Sequence, residues 1–137
     1  MTEEISIISD PHQVQRIIET TEQNITRARV PESIADDVAI ALLEAVNNAI
    51  IHGNERNTNK SVTIRMTIED TKIELSVIDQ GSGFDPNSLD DPRQPENVFR
   101  QNGRGLFFIR QLMDEVEINT GETGSQITMR KFWMNPS

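Results

Sequence analysis

Two runs with a period of two, "SVTIRMTI" and "IELSVID", stand on either side of the short turn "EDTK". Val62, Ile64, Met66 and Ile68 alternate with polar neighbours in the first run, and Ile73, Leu75 and Val77 do so in the second. Successive strand side chains point to opposite faces, so the pattern predicts an antiparallel hairpin with one apolar face and one polar face. An apolar sheet face has to be covered, and helices drawn from the rest of the chain are the expected cover.

Those helices are legible on both sides of the hairpin. The stretch "ISIIS" (Ile5–Ser9) reads as a strand, and Asp10-Pro11 after it pairs an N-cap residue with proline at the first helical position. Val14, Ile17, Ile18, Ile25 and Ala28 then predict a helix with one buried stripe. Pro31 ends or restarts that pattern. From Pro31 to Gly53 a second, central helix carries Ile34, Val38, Ala41, Leu42, Ala45, Val46, Ala49 and Ile50, with Gly53 where a glycine C-cap is expected. Downstream, "GLFFIRQLMDEV" resumes helical spacing through Leu106, Phe107, Ile109, Leu112 and Met113. After it "VEIN" reads as a strand, "GETGS" as a turn, and Gln126 to Trp133 as a last strand. The order β, α, α, β, β, loop, α, β, β predicts an α/β (α+β) fold: a two-layer sandwich with the helices on one face of a mixed, mainly antiparallel sheet.

At 137 residues the chain suits one domain, 1–137. Its 13 Lys and Arg against 22 Asp and Glu give a net charge of -9, a field that repels nucleic acid and anionic membranes. A polyanionic ligand must therefore be met by local chemistry. The absence of cysteine removes disulfides, thiolate metal sites and cysteine nucleophiles. "MTEEISIISD" has no basic start, and no stretch approaches the ~20 apolar residues of a membrane span. A cytoplasmic protein is expected, with neither nucleic acid nor membrane as partner.

Three segments carry chemistry. On the central helix, "LLEAVNNAIIHG" sets Glu44 and Asn48 four residues apart, hence on one face and about one turn apart. By themselves they read either as solvated surface groups or as a base and a magnesium ligand, since Mg²⁺ keeps several waters and needs only one or two protein oxygens. "DQGSGF" puts Asp79 at the end of a strand, followed by Gly81 and Gly83. Asp, Gly and Ser are ordinary turn residues, and a strand-ending turn is one reading. The other is an anchor for the amino group of a base such as adenine, because a carboxylate at the end of a buried strand needs a donor and the glycines let backbone approach a flat ring. In "NGRGLFF", Gly103 and Gly105 open a helix whose free N–H groups and dipole suit an anion, with Arg104 adding charge; they also serve simply to end the preceding loop. Between the last two segments, Gly83, Pro86, Pro92 and Pro95 break a long loop, and a loop of that length in so small a domain is often functional.

Taken together, helical Glu44 and Asn48, strand-end "DQGSGF", a long loop and "GRG" opening a helix resemble the N box and the two glycine boxes of the GHKL ATPase superfamily (the Bergerat fold), over residues from about 40 to 118. Within it, "EAVNNAIIHG" and "GLFFIRQLMDEVEI" resemble the anti-sigma factor serine/threonine kinases of the RsbW and SpoIIAB type. The resemblance implies ATP and Mg²⁺ as cofactors, Glu44 as general base and Asn48 as metal ligand. It further implies Asp79 as adenine anchor, Gly81, Gly83 and Phe84 in the base pocket, Gly103, Arg104, Gly105 and Leu106 at the phosphates, and a lid over about 85–102. Such kinases phosphorylate a STAS-domain antagonist, sequester a sigma factor and form homodimers. An arginine that relatives carry before the second glycine box corresponds here to Gln101, with Arg100 and Arg104 on either side; Arg104 is the expected substitute. Two further readings stay open, an ATP-gated sequestering module without transfer and a detached histidine-kinase catalytic domain. His52 reads as a cap or packing residue, and His12 lacks the paired helices of a phosphoacceptor.

Overall fold

The predicted hairpin forms the middle of a five-stranded sheet. This computed structural model describes residues 1–81 and 105–134. Strands β1 (Thr2–Ile8), β2 (Ser61–Glu69), β3 (Lys72–Ile78), β4 (Glu115–Gly121) and β5 (Gly124–Phe132) lie in the order β1-β2-β3-β5-β4, and all four pairings are antiparallel. Val62, Ile64, Met66 and Ile68 on β2 and Ile73, Leu75 and Val77 on β3 are all buried, as the alternation requires. Ile127 and Met129 continue that face on β5.

Among the described residues three helices cover it: α1 (Val14–Arg27), α2 (Glu32–Asn48) and α3 (Gly105–Leu112). Before α1, Asp10 caps a single 3-10 turn by accepting from the His12 N–H at 3.0 Å, with Pro11 at the first position. The α1 stripe departs from expectation at its end. Thr21 and Asn24 are buried in it, Ile18 is half-buried, and Ala28 is exposed. Asn24 is admitted because its amide donates to the Glu3 carboxylate on β1. Arg29 (φ 58) then closes α1, its N–H reaching Thr26 O at 3.1 Å while the Val30 N–H reaches Ile25 O at 3.2 Å. A left-handed residue with this bond pair is a Schellman stop, and Pro31 starts α2 directly afterwards.

Val38, Ala41, Leu42, Ala45 and Val46 bury the core side of α2, which packs against both α1 and α3. The predicted glycine cap is corrected here. The helix widens into one π turn, Ala49–Gly53, closed by the Asn54 N–H on Ala49 O at 2.8 Å, and the left-handed residues come later, at Glu55 and Arg56. On α3 Leu106 and Ile109, and just after it Met113, face the core. Phe107, expected among them, is 54% exposed and meets the neighbouring Phe108 edge-on, because a residue one step from Leu106 points away from its face. Lys131 on β5 ties the helices together: Nζ donates to Leu112 O at 2.6 Å and lies 3.4 Å from the Asp37 carboxylate on α2.

The other face of the sheet is polar. Arg130 reaches Glu74 at 2.7 Å and Glu117 at 3.3 Å, spanning β3, β5 and β4, and Ser76 pairs with Thr128 at 3.0 Å. Among the described residues no helix is long and apolar enough to cross a membrane.

Candidate functional site

Glu44 and Asn48 share one face near the C-terminal end of α2, as their spacing demands. Glu44 is half-buried. Asn48 is 3% exposed, and its Nδ2 donates to Glu44 O at 2.8 Å. That bond fixes the sense of the amide, so Oδ1 is the end suited to a cation.

The π turn continues this end of α2 to Gly53, and Gly53 packs on Asp79. A Cβ on Gly53 would stand 2.3 Å from Asp79 Oδ2, a separation no methyl group tolerates. Gly81 is constrained likewise, since its Cβ would meet Gly53 O at 2.4 Å. A third glycine closes the cradle: Gly124, at φ +154, passes so near that a Cβ would lie 2.1 Å from Asp79 O. Backbone packing around Asp79 therefore already demands glycine at Gly81, apart from any approach of a ring.

Asp79 is a turn residue and a half-buried carboxylate at once. Its Oδ1 accepts from the Gly81 N–H at 2.9 Å, an Asx turn, and from the Ser125 N–H at 3.0 Å. Its own N–H donates to Ser125 O at 2.9 Å, extending the β3–β5 ladder by one residue. Among the described residues, the hydrogen bonds to this carboxylate fall on Oδ1, leaving Oδ2 over Gly53. Burial pushes the Asp79 carboxyl above the ordinary carboxylate range, against the two N–H donors and the charge of Lys60, which pull it down. A partly dehydrated carboxylate with one engaged oxygen is equipped to accept from a ligand N–H.

Helix α3 starts at Gly105, packs beside α2, and buries Leu106 at its first turn. Of the residues expected from sequence, Glu44, Asn48, Asp79 and Gly81 are thus gathered around the end of α2 and the end of β3. Gly83, Phe84, Gly103 and Arg104 lie outside the described residues, as do Arg100, Gln101 and the lid over about 85–102. Gly53, Gly124 and Ser125 were missed. The "GETGS" turn was visible, but its closeness to Asp79 depends on β3 pairing with β5, which no local pattern encodes. His52, expected as a cap or packing residue, has its Nε2 buried without a hydrogen-bond partner among the described residues.

A family model described as the histidine kinase-like ATPase domain matches residues 7–131. The serine-protein kinase RsbW of Oceanobacillus iheyensis is 35% identical over 107 residues, covering 74% of this chain and 66% of the relative. The anti-sigma F factor of Bacillus thuringiensis is 34% identical over 104 residues, 72% of this chain and 70% of that one. Among solved structures, a chain comprising RsbU and RsbW domains from Mycobacterium tuberculosis superposes with a TM-score of 0.74 at 18% identity, covering 100% of this chain and 34% of that chain; at this identity the likeness concerns the fold. The match of the family model over nearly the whole chain, with relatives of this identity, makes the chain a member of the histidine kinase-like ATPase domain family, in the group of the RsbW kinases and anti-sigma F factors.

Proposed function

We propose that this chain is an ATP-dependent protein serine/threonine kinase and anti-sigma factor, which phosphorylates a STAS-domain antagonist in the cytoplasm, sequesters a sigma factor, and works as a homodimer. The names of its relatives support the kinase and anti-sigma parts. The single observation that carries the reading is the junction of Glu44 and Asn48, through the π turn, to Asp79 in its glycine cradle.

In this reading Asp79 Oδ2 accepts from the adenine 6-amino group, with Gly81, Gly83 and Phe84 around the base. Gly103, Arg104, Gly105 and Leu106 form the phosphate end, where the first turn of α3 offers N–H groups. Asn48 Oδ1 holds Mg²⁺ together with phosphate oxygens and water, the sparse protein ligation usual for this cation. Bound there, the ion neutralises phosphate charge. Glu44 takes the proton of the acceptor hydroxyl as its oxygen bonds to the γ-phosphorus, the bond to the β,γ-bridging oxygen breaks, and ADP leaves with that electron pair.

The test is labelled ATP with Mg²⁺ and the STAS-domain proteins of the same cell. Label on serine or threonine, lost with Glu44→Gln, is expected. Nucleotide binding without transfer to any candidate would leave a sequestering module, and label on histidine would mark a histidine-kinase domain.

A further inference from the structure

Asn54 is 1% exposed and belongs to none of the roles assigned above. It sits just past the π turn and uses its whole side chain. Nδ2 donates to Ser9 Oγ at 2.6 Å and to Ser61 O at 2.8 Å, while Oδ1 accepts from the Gln80 N–H at 2.7 Å. Ser9 follows β1, Ser61 begins β2 and Gln80 lies two residues after β3, so one amide joins three strand ends to the end of α2. Gln80 is held a second time, its Oε1 accepting from Ser61 N–H at 2.7 Å and from Ser61 Oγ at 3.1 Å.

The consequence falls on Asp79. Its preceding peptide N–H is bound to Ser125 on β5 and its following peptide N–H to Asn54, so the residue is clamped on both sides. The aim of Oδ2 then has little freedom left. Only an amide fits this role among side chains of that length, because the position requires two donations and one acceptance at opposite ends of one planar group.

We propose that Asn54 is a positioning residue that sets purine selectivity: by holding the Gln80 N–H it fixes the aim of Asp79 Oδ2 at a 6-amino group and so favours adenine over 6-oxo purines. The inference rests on the reading of Asp79 as the base anchor. It adds a residue that touches no ligand and acts through the backbone of its neighbour.

The experiment compares the affinities of ATP and ITP, which differ at the 6-position, for the native chain, Asn54→Ala and Asn54→Asp by calorimetry, with Mg²⁺ throughout. A hydrogen bond to a charged group corresponds to roughly a tenfold or greater preference for ATP in the native chain. Asn54→Ala should bring the ratio close to parity. Asn54→Asp keeps an acceptor for the Gln80 N–H and should keep the preference, although losing both donations lowers its melting temperature. A purely structural role would weaken both nucleotides equally and leave the ratio unmoved in Asn54→Ala, which would overturn the inference. Loss of the ratio in Asn54→Asp as complete as in Asn54→Ala would overturn it too. Equal affinities in the native chain would remove the Asp79 reading and this inference with it, whereas an unmoved ratio in Asn54→Ala removes the inference alone. Should Asn54→Ala not fold, Asn54→Ser, which is too short to reach Gln80, gives the same ratio to read.

Discussion

Asp79 Oδ2 lies against Gly53 so closely that no side chain fits between them: a Cβ there would stand 2.3 Å from the oxygen. The end of α2, which carries Asn48, and the end of β3, which carries Asp79, are therefore packed directly on each other through the π turn.

Gly53→Ala should accordingly cost about 1–3 kcal/mol of stability, the range for overpacking a tight site. The same substitution in an Asp79→Ala background should cost far less, since the clashing atoms are gone. Denaturant melts of the four proteins in the cycle measure that coupling, and additive costs would mean that the chain relaxes around the new methyl by another route.

Asp79→Asn carries a pH signature. Burial raises the folded Asp79 above 3.8, so the folded chain holds this proton to higher pH than the unfolded chain. Stability linked to the group is then full at low pH and lost as pH rises through the raised value. An amide does not titrate, so the melting temperature of Asp79→Asn relative to the native chain should climb with pH across that window and level off above it. A difference that is flat or falls with pH would contradict the sign. The preference for ATP over ITP should fall in the same variant.

In the proposed mechanism Glu44→Gln removes the base and leaves nucleotide contacts in place. Phosphoryl transfer to the acceptor protein should drop by about a hundredfold to ten-thousandfold, with ATP affinity in a calorimetric titration unchanged. A parallel loss of affinity would recast Glu44 as a binding residue.

Asn48→Ala should make ATP affinity insensitive to chelation of Mg²⁺, whereas the native chain should weaken on chelation. Circular dichroism checks that α2 persists, because Asn48 is buried and bonded to Glu44 O. Persistence of the metal dependence would take Asn48 out of the cation site.

Much of this architecture is legible in the sequence. Alternation places every buried apolar residue of β2 and β3, and the four-residue spacing of Glu44 and Asn48 puts them on one helix face, because both patterns are local consequences of backbone geometry. What escaped was long-range. Gly53 reads as a helix cap because a glycine after an apolar stripe commonly is one, yet its small size is set by a carboxylate 26 residues away in the chain, as the numbering of Gly53 and Asp79 gives. Phe107 falls into the apolar face of α3 on hydrophobicity, where angle decides. Thr21 and Asn24 were passed over in α1 because burying Asn24 becomes affordable only once Glu3 on β1 is known to lie opposite.

The extra rung that Asp79 adds to the β3–β5 ladder has a kinetic meaning. A ligand anchor mounted on a flexible loop can be sampled open and shut without disturbing the rest of a protein. One woven into a central strand pair shares the fate of that pair and loses its aim chiefly when the sheet itself comes apart. Ligand occupancy would then slow hydrogen exchange across β3 and β5 as a block, making the central strands the reporter of whether the site is filled.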